Sequence, residues 1–216
     1  MMVFNFRKLF NRQNRDKNKQ NNTTMPEASA PIIFLPVNLL KALATLYKYI
    51  DTEFLVEMPI KEMEKNIFKV EPKVFIPDME LEYATVYAET SLGEKTFVLH
   101  THPGDIDTFS AIDEQSINAQ SFISALITQR NLEQKKYIID DIRYQGQKPD
   151  YYSVVYYESP IEVLDVGLIT YHQRLLDPIA TQQFIESLFA GDYRSTNNLA
   201  KRLFNRNNKK LSSLSM

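Results

Sequence analysis

The chain has no cysteine, and only three histidines in 216 residues. Without cysteine there is no disulfide and no thiolate ligand for a metal, so any zinc site must be built from histidine and carboxylate. No apolar run approaches the roughly 18 residues of a membrane span. The N-terminal Met1–Lys8 is not followed by a signal-type apolar block, so no secretory signal is expected. A cysteine-free chain without such a signal suits a reducing compartment, and a cytoplasmic location is the expectation.

What is present suits one globular domain with extensions. The apolar fraction is 44%, enough for a real core. The net charge of −2 hides an uneven distribution. Residues 1–20 carry six basic side chains and one acidic, and residues 194–216 carry six basic and none acidic. The stretch between holds 13 basic and 26 acidic residues. Such an acidic middle keeps a domain soluble and could attract a basic partner. The expected division is a disordered basic arm over 1–30, one domain over 31–192, and a basic C-terminal tail over 193–216.

Within the domain, Ile32–Leu35 reads as a short strand. Pro36 then precedes a helix with Val37, Leu40, Leu43, Ala44, Tyr47 and Ile50 on one face. Strands are expected at 53–59, 67–76 and 82–89, with a turn at 91–94. Further strand-like runs cover 137–143, 151–158 and 161–169. Asp177-Pro178 has the N-cap and N1 residues of a helix through Phe189. Mixed strands and helices predict an α+β fold, an α/β sandwich. The paired tyrosines at 151–152 and 156–157 read as strand faces. No stacked basic patch accompanies them, so no nucleic-acid platform is expected.

Two of the three histidines fall in one tetrapeptide, His100-Thr101-His102-Pro103, and Ser110 and Asp113 follow. Thr96–His100 is β-branched and apolar, which predicts a buried strand. Residues i and i+2 of a strand point the same way, so His100 and His102 share a face at its C-terminal end. Pro103-Gly104 ends it, because proline lacks the ladder donor and glycine permits a sharp turn. A helix is expected from about 111 to 128, through Asn118, Phe122, Leu126 and Ile127, with Asp113 in its first turn facing the strand end. Two imidazoles, one carboxylate and an open fourth position suit tetrahedral zinc, with ligand atoms about 2 Å from the ion. Ser110-Ala111-Ile112-Asp113 also reads as a capping box, which needs no metal. His172 lies outside this pattern and reads as an ordinary surface or satisfied histidine.

His-Thr-His-Pro, six residues, then Ser-x-x-Asp resembles the signature of the JAMM (MPN+) zinc metalloprotease family, with every defining position filled. That pattern is H-[ST]-H-x7-S-x2-D, with a glutamate several tens of residues upstream. Gly104 and the run Asp113–Phe122 are similar to the same region of the proteasome-lid and signalosome isopeptidases. The richness in Asn, Lys and Ile is similar to a prokaryotic or viral branch. The resemblance runs over residues 36 to about 175, at the level of element order outside 96–126.

The resemblance implies a curved mixed sheet with a helix on either side, the MPN/JAB-like and cytidine-deaminase-like arrangement. It implies one zinc per chain held by His100, His102 and Asp113. Glu53, 47 residues before His100, would be the general base and then the general acid, with Glu57 as second choice. The Ser110 hydroxyl would donate to the oxyanion. The glycines usual in the strand after that glutamate are missing here. The implied substrate is a peptide or isopeptide bond, such as one after a ubiquitin-like C-terminus, with an activating partner or oligomer as a further implication. A non-catalytic scaffold, or a phage-tail or cell-wall peptidase, would use the same fold.

Overall fold

Strand β7, Thr96–His102, is buried at every position, so neighbours must cover both its faces. The computed structural model of the protein describes residues 30–82, 85–89, 95–114 and 122–204, with the backbone alone over 85–89. Before β7 come β1 (Ile32–Pro36), helix α1 (Val37–Leu46), β2 (Phe54–Glu64), β3 (Ile67–Val70), β4 (Lys73–Ile76), β5 (Asp78–Glu82) and β6 (Thr85–Glu89). After it come β8 (Ile123–Thr128), the short helix α2 (Gln129–Glu133), β9 (Asp141–Tyr144), β10 (Ser153–Tyr157), β11 (Glu162–Val166), β12 (Ile169–Tyr171) and β13 (Arg174–Leu175). Helices α3 (Pro178–Phe189) and α4 (Tyr193–Phe204) follow.

Among the described residues the main sheet runs β10-β1-β3-β2-β7-β8-β9, and β4 joins it by pairing with β2 and β11. A smaller sheet runs β13-β12-β5-β6. Parallel and antiparallel pairs mix: β7 is antiparallel to β2 and parallel to β8. This mixed sheet flanked by helices is the α+β architecture that the resemblance implied. Helix α1 buries Leu39, Leu40, Leu43 and Leu46 and packs against α2 and α3. Removing each such leucine from water is worth about 2 kcal/mol. No helix among the described residues is long and apolar enough to cross a membrane.

Several elements differ from the sequence reading. The expected helix to residue 128 ends earlier: 111–114 are helical, 115–121 lie outside the described residues, and Ile123–Thr128 is a strand. Leu126 and Ile127 are therefore strand residues. A continuous buried apolar run suits a central strand beside a parallel partner as well as it suits a buried helix. The 67–76 segment breaks at Glu71-Pro72 into β3 and β4. The run 161–169 breaks at Gly167, where a Cβ would lie 2.5 Å from the Asp78 backbone nitrogen. Only a glycine lets the two chains approach so closely.

Asp177 does cap α3, accepting from Ala180 N at 2.8 Å with Pro178 in the first turn. The basic segment assigned from 193 onward is helical through 204, with Ala200 and Leu203 buried. The N-terminal arm through residue 29, the turn at 91–94 and residues 205–216 lie outside the described residues.

Candidate metal centre

The site forms at the C-terminal end of β7. Alternation along the strand puts His100 and His102 on one face, with ring centroids 4.8 Å apart and planes at 84°. Both are buried, at 7% and 2% exposure. Leu55 of β2 sits opposite His100, so the strand's entry carries Glu53 alongside the histidines. Glu53 Oε2 lies 3.2 Å from His100 Nε2, and Glu53 Oε1 lies 3.9 Å from His102 Nε2. Ligand atoms of Glu53, His100 and His102 all fall within 4.8 Å of one another, as those of a metal site do. Glu57 shares this sheet face but pairs with Val98, further down the strand, and is fully buried there.

Asp113 arrives from the other side. Its Oδ1 is 3.4 Å from His100 Nδ1 and its Oδ2 is 3.3 Å from His102 Nε2. The capping box forms as well: Ser110 N donates to Asp113 Oδ2 at 2.7 Å, and Asp113 N donates to Ser110 Oγ at 3.2 Å. The two readings of Ser-x-x-Asp are thus compatible, because the cap fixes the carboxylate that faces the imidazoles. Ser110 is exposed, and its hydroxyl, which accepts from Asp113 N, also lies against the Asp113 carboxylate.

The charges respond to one another. Burial pushes the Asp113 carboxyl up. His102, the charge of His100 and the Ser110 hydroxyl and amide outweigh burial and hold it well below the usual carboxylate range. Burial pushes the His102 imidazole down. The Asp113 carboxylate, the charges of Glu53 and Asp113, and the Ile106 carbonyl more than reverse this, so His102 sits above the ordinary histidine value. Two carboxylates facing two imidazoles in a buried spot leave negative charge that a divalent cation would neutralise.

The donor set fits zinc on a further ground. His102 Nδ1 lies 3.1 Å from the Ile106 carbonyl, which can only accept, so Nδ1 carries the proton of the neutral ring. Nε2 then presents a lone pair toward Asp113 and Glu53. That buried Nε2 makes no well-aligned hydrogen bond. An imidazole fixed through one nitrogen by a carbonyl, with the other aimed at carboxylates, is the usual setting of a metal-bound histidine.

Two residues that the sequence reading assigned no part in the site build the underside. Thr101 points to the opposite face, where its Oγ accepts from Phe54 N at 2.8 Å and donates to Phe54 O at 3.0 Å. The hydroxyl of Tyr47, the C-cap of α1, meets the same Oγ. This links α1, the start of β2 and the strand between the histidines. The signal lay in the middle letter of His-Thr-His. His172 lies elsewhere, in the β12–β13 turn with φ of 47°, and its Nε2 is 3.7 Å from Asp51.

No family profile matches the chain, and no curated protein matches it. Among the solved structures similar to it are these two. One is a JAB1/MPN domain protein from Archaeoglobus fulgidus, at 14% identity and a TM-score of 0.36. The other is a structure described as JAMM, a metalloprotease-like zinc site in the proteasome and signalosome, at 12% and 0.32. Each match covers 59% of this chain and 99% of the other.

Proposed function

We propose, from the JAMM pattern that this chain carries, that it is a zinc-dependent hydrolase of peptide or isopeptide bonds. The observation that carries this reading is the buried trio Glu53, His100 and His102, with the partly buried Asp113 carboxylate 3.4 Å from His100 Nδ1 and 3.3 Å from His102 Nε2. His100, His102 and Asp113 would hold the metal. Zinc bound there would supply Lewis acidity to a water and to the scissile carbonyl.

The chain's own groups do the rest. Glu53 takes a proton on a carboxylate oxygen and returns it to the leaving amine. The exposed Ser110 hydroxyl donates to the developing oxyanion, a contribution worth about 3 kcal/mol where such donors have been removed elsewhere. The capping box keeps Ser110 and Asp113 in fixed relation, so the oxyanion donor and the metal ligand move as one unit. The acidic balance of the middle of the chain supports a basic substrate segment, and a ubiquitin-like C-terminus with its arginine is the class proposed. The absence of cysteine supports a reducing, cytoplasmic setting.

The test is zinc content of the purified protein beside His102→Ala and Asp113→Ala, with all three samples assayed on ubiquitin-like fusion substrates. The expected result is near one zinc per chain in the wild type, lost in both variants, with chelator-sensitive cleavage. Wild-type protein without zinc would sink the mechanism.

A further inference from the structure

The segment that brings Asp113 to the histidines is exposed along much of its length: Ser110, Ala111 and Ile112 all face solvent. Its position therefore depends on how its two ends are held. Phe109 lies at one end, buried against Leu126. Glu114 lies at the other, next to Asp113.

Both ends meet one side chain. On β9, Arg143 sits opposite Ser124, and Asp141 opposite Leu126; Leu126 in turn sits beside His100. Strand alternation puts Arg143 and Asp141 on the sheet face that carries the site. The Arg143 Nε donates to Glu114 Oε1 at 2.9 Å, and Nη2 donates to the same oxygen. Its guanidinium carbon lies 5.1 Å from the Phe109 ring centroid, a cation–π distance. Nη1 donates to Asp141 Oδ1 at 2.8 Å and to the Ile142 carbonyl at 2.9 Å. Asp141 is 2% exposed and also takes Lys148 Nζ at 3.0 Å. Arg143 itself is 8% exposed, so this fork is fixed in the sheet.

We infer that Arg143 is a positioning residue for the metal ligand Asp113: it clamps Phe109 and Glu114 to β9 and thereby sets the carboxylate against His100 and His102. The inference rests on the metal-site reading above. Planar, multidentate donation is what separates arginine from lysine in such a role. Groups that orient a ligand typically change metal affinity by roughly 10- to 100-fold when lost.

The experiment measures zinc affinity by competition against a chelator, and the visible spectrum of the cobalt(II)-loaded protein. The samples are wild type, Arg143→Ala, Arg143→Lys, Glu114→Gln, Asp113→Asn and the double variant Arg143→Ala/Asp113→Asn. The inference expects a roughly 10- to 100-fold loss of affinity and a changed cobalt spectrum in both Arg143 variants. It expects no further loss when Arg143→Ala is added to Asp113→Asn, because the arginine acts through that carboxylate. Full additivity in the double variant, or wild-type affinity in Arg143→Lys and Glu114→Gln, would overturn it. Should Arg143→Ala fail to fold, Glu114→Gln reads the same link from the half-exposed side of the pair. A wild type that binds neither metal overturns the site reading and this inference together. A wild type that binds while the variants match it overturns the inference alone.

Discussion

Thr101 and Phe54 are joined twice through one hydroxyl, which accepts from the Phe54 amide and donates to its carbonyl. The residue before Phe54 is Glu53, so this pair of bonds aligns the proposed base with the strand that bears the histidines. Thr101→Val keeps the shape and removes the bonds. It is expected to cost about 2 kcal/mol in urea unfolding, because buried groups of Phe54 and Tyr47 lose their partner. Turnover should fall while zinc content holds, and Thr101→Ser should restore most of both.

Glu53 and Asp113 flank the same histidines but are assigned different work. Glu53→Gln should keep near one zinc per chain while cleavage drops roughly 100- to 10,000-fold, the range of general acid–base contributions. Zinc analysis and turnover on one preparation check this. Loss of zinc in Glu53→Gln would make the glutamate a ligand instead.

Asp141 gives a pH signature. Burial pushes its carboxyl up, but the Arg143 and Lys148 bonds and the Ile142 amide outweigh that and hold it below the ordinary value. A depressed folded value means that its stabilisation is present above the unfolded value, about 3.9, and is lost as pH falls through the folded one. Asp141→Asn should therefore be less stable than wild type at neutral pH, by about 3 kcal/mol, since it leaves a buried arginine short of a partner. The gap should close as pH falls below about 4. Thermal midpoints across pH measure it, and a gap that stays constant would refute the assignment.

Gly167 packs against the Asp78 backbone between β11 and β12. Gly167→Ala should cost about 1–3 kcal/mol, because the methyl meets main chain that cannot swing aside. Chemical denaturation would show it, with zinc content unchanged.

The juxtaposition of the proposed site residues was legible because strand alternation and a fixed spacing put them in register: His100 with His102, and Asp113 on the first turn after Ser110. Glu53 was preferred over Glu57 only through the resemblance, whose spacing it matches, and the paired strands account for its place beside the histidines. Helix α1 and the Asp177 cap were legible from period and cap chemistry. Strand β8 was not, because Ile123–Thr128 is apolar throughout and offers no alternation to separate strand from helix. Helix α4 was hidden by its charge: Lys201 and Arg202 make it read as a solvated tail, although Ala200 and Leu203 line its buried side. The contacts of Arg143 and of Tyr47 were invisible for a different reason. Each acts across long chain separations, 29 residues to Glu114 and 54 to Thr101, which no local pattern encodes.

The order in which the centre can be completed follows from how the chain is strung. His100, His102 and Asp113 lie within 14 consecutive residues, so a short loop closure brings them together. Glu53 joins only when β2 has zipped onto β7 across 47 residues. On the proposed roles, the metal grip and the proton carrier thus come from separate stretches of chain, and completing the centre needs the β2–β7 pairing. A chain in which that pairing opened would keep its three ligands near one another and lose its base, so cutting would end with the sheet.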